Sequence, residues 1–247
     1  MKPQIGIQLY SVRNSLAKDF DGTIAKLAQM GFGGVELAFF YGGKTPRELA
    51  ALLAAHNLRT VGIYELVENL CNPESTVYSF AEALNCQYIT FGVDPDMMKN
   101  DYEAAVEVCR RTVAQILAKG LIPCYHAHTF EFLIERGGEN SLDALFREKG
   151  LEKMTFEADT CWIGKAGKDI VGYMEKYADR IPMIHVKDLG TDNEVTELGR
   201  GVIDFRSVAA FAVRHRIPWL TYELDFSRTT ELGSAEISIR HLKECLA

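Results

Sequence analysis

The chain has 247 residues, a length that fits two ordinary domains or one α/β barrel of about 250 residues. With 47% hydrophobic and 25% charged residues it carries enough apolar side chains for a sizeable core, which excludes intrinsic disorder. The formal net charge of −7 argues against a surface that tracks a nucleic-acid backbone. From the amino end, residues 5–10 read as a first strand, β-branched and aromatic, with neither the apolar region nor the cleavage site of a secretion signal. Further strands are expected at 34–37, 60–64, 88–91, 122–128, 154–159, 183–186 and 219–223. Between them lie amphipathic segments. Ile24, Leu27 and Ala28 share one face and stop at Gly31, and Thr45, Pro46 and Glu48 form a capping box that opens a helix over 45–56. Helices also fit 75–84, 101–119, 142–147, a stripe of Ile170, Tyr173, Met174 and Tyr177, 205–215 and 234–246.

The carboxyl ends of these strands fall near residues 10, 36, 64, 91, 128, 159, 185 and 223, at intervals of 26 to 38 residues. Eight strand-helix units of that size match a closed (β/α)8 barrel of parallel strands, spanning 1–247 as one domain, better than an open doubly wound sheet. No GxGxxG or GxxxxGK[ST] string cradles a phosphate, and no run approaches the roughly 20 apolar residues of a membrane span. Cys71, Cys86, Cys109, Cys124, Cys161 and Cys245 form no CxxC pair. They read as free thiols of a cytoplasmic protein.

In such a barrel the residues that end the strands face one another at the C-terminal rim. Here they are Tyr10, Glu36, Glu65, His126, His128, Glu131, Asp159, His185, Lys187, Asp188 and Glu223. So many carboxylates and imidazoles at the ends of apolar strands are costly to desolvate unless paired, hydrogen-bonded or bound to a cation. Glu131, Asp159, His185 and Glu223 supply three carboxylates and one imidazole, a set suited to Mn²⁺, Mg²⁺, Co²⁺ or Zn²⁺. His126 and His128, two residues apart, chelate a metal, orient a substrate or satisfy a buried network. Tyr10, Phe39, Phe40, Tyr64 and Trp162 wall a pocket that stacks on a sugar, or pack in loops. Lys187 and Asp188 contact substrate or form an ion pair.

The strings Ile5-Gly6-Ile7-Gln8-Leu9-Tyr10-Ser11-Val12-Arg13, Tyr125-His126-Ala127-His128-Thr129-Phe130-Glu131-Phe132, Glu157-Ala158-Asp159-Thr160-Cys161-Trp162, Ile184-His185-Val186-Lys187-Asp188 and Tyr222-Glu223 resemble the xylose isomerase-like TIM-barrel superfamily of sugar isomerases and epimerases. The resemblance runs nearly the whole chain. It implies a divalent metal, most often Mn²⁺, on Glu131, Asp159, His185 and Glu223, with Glu131 and Glu223 also transferring protons through an enediolate that the metal stabilises. Position at or near the strand ends makes Tyr10, Glu36, His126, His128, Trp162, Lys187 and Arg200 the candidate substrate contacts, with a small carbohydrate as partner; dimers or tetramers are frequent in similar barrels, and the sequence leaves the oligomeric state open. Two departures stand out. Trp162 replaces the substrate-binding His that ketose 3-epimerases carry three residues after the metal-binding Asp, and Gly199-Arg200-Gly201 replaces a Gly-Glu-Gly form. Arg200 is thereby either a cation for an anionic substrate group or a solvated loop residue. The expected activity is isomerisation or epimerisation of a small sugar or keto-sugar, with a lyase or dehydratase, a phosphosugar isomerase and a non-catalytic sugar-binding barrel as alternatives. An endonuclease IV activity conflicts with the negative charge and the six histidines.

Overall fold

A computed structural model describes residues 2–247. Eight parallel strands close into a barrel in chain order: β1 (Gln4–Gln8), β2 (Gly34–Ala38), β3 (Arg59–Tyr64), β4 (Tyr88–Phe91), β5 (Ile122–His126), β6 (Thr155–Asp159), β7 (Met183–Val186) and β8 (Trp219–Tyr222), with β8 paired back onto β1. Six connecting helices of eight residues or more, and the shorter Ser141–Leu145 and Ile170–Glu175, sit where periodicity placed them. Helix Pro46–Ala55 starts on Thr45 with both halves of the capping box formed, and helix Phe20–Met30 stops at Gly31, whose φ of 96° is left-handed.

Four strand ends differ from expectation, β2 by running one residue further, to Ala38. β1 stops at Gln8 and passes into a 3-10 turn over Leu9–Val12; β5 stops at His126, so His128 is off the sheet; β8 stops at Tyr222, one residue short of Glu223. The short helices Arg13–Lys18, Val67–Leu70, Pro95–Asn100, Thr129–Leu133 and Thr160–Lys165 also follow strands. They span four to six residues, and none carries an apolar stripe like the one over 170–177.

Strand alternation divides the residues into two environments. Outward residues such as Ile7, Val35, Ile63, Tyr125, Ile184 and Tyr222 join one large apolar core between barrel and helices. The inward residues build a different interior. Val61, Met183 and Trp219 form a small apolar floor at the N-terminal end. Above it Glu36, Thr90, Glu157, His185 and Thr221 are all fully buried. Register fixes which polar groups meet: Asp159 lies beside His185, His126 beside Glu157, and Gln8 beside Glu36.

All six cysteines are free, four of them buried. No described helix is long and apolar enough to cross a membrane.

The floor constrains the wall around it. A Cβ on Gly34 would stand 2.7 Å from the Trp219 ring and 2.8 Å from the Arg59 carbonyl oxygen. Gly34→Ala is expected to destabilise the barrel by about 1–3 kcal/mol, the usual cost of overpacking, read as a lowered urea midpoint with an unchanged slope.

Candidate functional site

At the upper end of the lumen one donor atom each from His126, Asp159, His185 and Glu223 falls within 4.8 Å of the others. Asp159 ends β6 and caps helix Thr160–Lys165; its Oδ1 accepts from the Cys161 and Trp162 amides at 2.8 and 3.0 Å. Its Oδ2 is buried and has no hydrogen-bond partner. His185 is wedged among carboxylates. Its Nδ1 lies 2.9 Å from Glu223 Oε2, and its Nε2 lies 2.6 Å from Glu36 Oε2 and 3.3 Å from Glu157 Oε1. His126 Nδ1 lies 2.9 Å from Glu157 Oε2.

One buried cation shares this space. Lys187, fully buried, puts Nζ 2.9 Å from both Glu223 Oε2 and Asp225 Oδ2 and 3.3 Å from Asp159 Oδ2, at angles outside those of a hydrogen bond. The ammonium also lies 4.3 Å from the centre of the Trp162 ring. Because Lys187 follows His185 by two residues, both side chains turn inward together.

Glu131 does not join the convergent group. Its Oε1 accepts from the Tyr125 hydroxyl and its Oε2 from the His128 amide, both at 2.8 Å, so it closes the first turn of helix Thr129–Leu133. Tyr125 points outward from β5, which takes Glu131 to the wrong side of the strand for the lumen. His126 stands where Glu131 was expected. The donors that converge are thus two imidazoles and two carboxylates, where three carboxylates and one imidazole were expected.

Other expected contacts divide similarly. His128 and Trp162 border the group: the imidazoles of His126 and His128 are 4.9 Å apart, and His128 lies 5.8 Å from the Trp162 ring. Tyr10 and Tyr64 both meet Phe39 edge-on, at 6.5 and 5.2 Å, and Tyr64 meets His126 at 5.7 Å. Phe39 holds a left-handed φ of 57° that a bulky side chain adopts only at a cost of about 1 kcal/mol or more. Glu36 lies deeper, beneath His185. Arg200 is half-exposed and pairs with Glu197 at 3.4 Å, the solvated-loop alternative. Asp188 is a loop anchor. Its two oxygens accept from the amides of Leu189, Gly199, Gly201 and Ile203, and a Cβ on Gly201 would stand 2.3 Å from Asp188 Oδ1.

Sequence reasoning missed Glu157 and the importance of Asp225. Both signals were present: Glu157 shares strand parity with Asp159, and Asp225 follows Glu223 by two. Phe39, Phe40, Leu66, Leu133, Val202 and Phe226, six of the exposed large apolar side chains, all lie on segments that follow strand ends. An apolar rim thus surrounds a charged floor.

Burial disfavours charge on every carboxyl here, and neighbours decide the outcome. Glu36 is pushed up to about 8 by burial and by the charge of Glu157, with His185 opposing. Burial also acts on Glu157, but the His185 and His126 imidazoles outweigh it and hold Glu157 down at about 2. Glu223, against the same burial penalty, is held well below the carboxylate range by Lys187 and His185. Asp159 is raised, since burial exceeds the help from Lys187. Burial and the neighbouring His126 and Lys187 push His128 down to about 3, leaving a neutral ring at pH 7.

The chain matches the family described as the xylose isomerase-like TIM barrel over residues 24–245. It belongs to that family. Solved structures carry the same fold at low identity. A sugar phosphate isomerase/epimerase from Parabacteroides distasonis superposes with a TM-score of 0.82 at 20% identity, covering 98% of both chains. The probable 3-DHS dehydratase AsbF, involved in petrobactin synthesis in Bacillus anthracis, gives 0.78 at 13% identity over 97% of both chains. The IOLI protein with a binding zinc atom gives 0.71 at 11% identity, covering 100% of this chain and 98% of that one. No curated protein matches the sequence. In this xylose isomerase-like barrel the family fold thus presents a polar mouth whose nearest convergent donors are those of β5 to β8.

Burial pushes Glu131 up to about 8, against its hydrogen bonds from Tyr125 and His128. A carboxyl raised above its unfolded value of 4.5 favours the folded state while protonated. That advantage is complete below the unfolded value and is lost as pH rises toward 8. Wild type is expected to lose stability relative to Glu131→Gln across that window, by up to about 4–5 kcal/mol at about 1.4 kcal/mol per pH unit. Urea unfolding of both proteins from pH 4.5 to 8.5 checks it; parallel stability curves would place the carboxyl in solvent.

Proposed function

We propose that the protein is a divalent-cation-dependent isomerase or epimerase of a small sugar or keto-sugar, with His126, Asp159, His185 and Glu223 holding the cation. The observation that carries this reading is the convergence of those four donors around a buried Asp159 oxygen that has no hydrogen-bond partner. The donor chemistry supports it, because Asp159 and Glu223 are both buried and share Lys187, the only buried ammonium among the described residues. Two imidazoles with two carboxylates suit Mn²⁺, Co²⁺ or Zn²⁺ better than Mg²⁺, which prefers oxygen alone. Mn²⁺ is the ion we assign, and the zinc of the IOLI protein is in keeping with a cation in this fold.

When bound, the cation supplies Lewis-acid polarisation of a substrate carbonyl, which acidifies the neighbouring C–H. Glu223 takes that proton and returns it to the adjacent carbon on the same face, the hydroxyl proton of that carbon passing to the former carbonyl oxygen, which is isomerisation; epimerisation takes the new proton from the opposite face, from solvent. Lys187, 2.9 Å away, keeps Glu223 ionised and places positive charge beside the oxygen on which the enediolate charge develops. Glu131 is engaged by Tyr125 and is assigned no proton transfer; it presents His128 by fixing the turn. The neutral His128 ring and the unpartnered Trp162 Nε1 are available to substrate hydroxyls, and the edges of Tyr10, Phe39 and Tyr64 to its C–H face. The unpaired thiols suit a reducing cytoplasm.

β-Elimination is the second reading. It is favoured by Lys187, a buried ammonium beside the base that is able to protonate a departing hydroxyl. Both reactions start with the same C–H cleavage.

Purified protein is expected to hold one divalent ion per chain, and Asp159→Asn to weaken its uptake at least about tenfold. Deuterium wash-in from D₂O across ketoses, keto-glycosides and hydroxypyruvate is expected to show C–H exchange that Glu223→Gln slows by about 10²–10⁴-fold. A protein free of stoichiometric metal, with exchange unaffected by Glu223→Gln, would sink the proposal; metal and sugar binding with no exchange would leave a binding barrel.

A further inference from the structure

The cation reading leaves one strongly placed group without a task. Glu157 is fully buried below the four converging donors, and each of its oxygens meets a different imidazole. Oε2 lies 2.9 Å from His126 Nδ1, and Oε1 lies 3.3 Å from His185 Nε2. Its position follows from the strand: two residues before Asp159 on β6, it faces the same lumen one layer lower. Thr90 Oγ1 donates to Oε1 at 3.4 Å from β4, and Glu36 Oε2 from β2 meets the same His185 nitrogen at 2.6 Å.

A carboxylate on one nitrogen of an imidazole fixes the proton there and turns the other nitrogen outward as a lone-pair donor. We propose that Glu157 is the positioning residue of the cation site, one buried carboxylate that sets both histidine ligands, with His126 binding through Nε2 and His185 through Nδ1. This rests on the cation reading above. Of the two nitrogens left over by Glu157 and Glu36, His185 Nδ1 faces Glu223, and the inference assigns His126 Nε2 to the same set of converging donors. His185 Nδ1 presently faces Glu223 at 2.9 Å, so cation uptake replaces one imidazole-carboxylate contact and leaves the Nε2 contacts in place. A second ion between Glu36, Glu157 and His185, whose donors also converge, would use the same nitrogen and is the competing arrangement.

The test combines calorimetric titration with Mn²⁺ and Zn²⁺ and long-range ¹H–¹⁵N correlation of the imidazoles in the metal-free protein. Wild type is expected to bind one ion, with the His126 proton on Nδ1. Glu157→Gln is expected to bind the ion about 10–100-fold more weakly, the usual loss for an outer carboxylate, and to shift the His126 proton toward Nε2. Thr90→Val, which removes only the hydroxyl on Glu157, is expected to weaken binding less than Glu157→Gln does. Wild type that binds the ion while Glu157→Gln binds within about twofold overturns this inference and leaves the cation reading standing. Two ions per chain, with Glu36 and Glu157 as ligands, also overturns it. Failure of wild type to bind either ion removes the cation reading, and this inference with it. The proton count on wild-type His126 decides the matter even if Glu157→Gln does not fold: a proton on Nε2 of the metal-free ring overturns the assignment.

Discussion

Four carboxylates share the inside of one narrow barrel with two imidazoles and a single ammonium, and the rest of the site follows from the cost of that arrangement. Each carboxylate lost its water when the barrel closed, a penalty of several kcal/mol per ion that only close partners offset. Glu157 is answered by His126 and His185, and Glu223 by His185 and Lys187. Glu36 is answered incompletely, and one of its oxygens and one of Asp159 lack a hydrogen bond. A buried Asp159 oxygen without a hydrogen bond, set among converging donors, is the physical reason for proposing a divalent cation at this mouth.

The apolar core that makes the arrangement tolerable lies elsewhere, between strands and helices. Strand parity keeps the two environments apart at a distance of one residue. Tyr125 and Tyr222 pack outward while His126 and Glu223, their chain neighbours, belong to the lumen. The same separation explains why two acidic residues with catalytic appearance serve the architecture. Asp188 gathers four backbone amides of the loop after β7, and Glu131 binds the Tyr125 hydroxyl behind β5. Both are buried carboxylates whose hydrogen-bond capacity is spent on positioning chain segments around the mouth.

The mouth itself is layered. Aromatic edges from Tyr10, Phe39 and Tyr64 form one wall, His128 and Trp162 another, and exposed apolar side chains stand on the surrounding segments. Charge lies below and apolar surface above. Such an arrangement suits a substrate with hydroxyl and carbonyl groups on one side and C–H surface on the other.

By itself the sequence determined the eight units, since strand alternation and helical stripes are local patterns and their spacing is countable. It also placed Asp159, His185 and Glu223 within one residue of the ends of successive strands, because a residue near a strand end inherits the geometry of the barrel. Residues beyond strand ends were not legible in the same way. Glu131 lies five positions after β5, and whether its side chain turns to the lumen or to Tyr125 depends on a five-residue helix without an apolar stripe. Only the tertiary structure decided that His126, and not Glu131, converges with Asp159, His185 and Glu223, and that Glu157 contacts both imidazoles. Those contacts join β2, β5, β6 and β7 across the barrel, and the stagger between strands that sets their height is a property of the closed sheet.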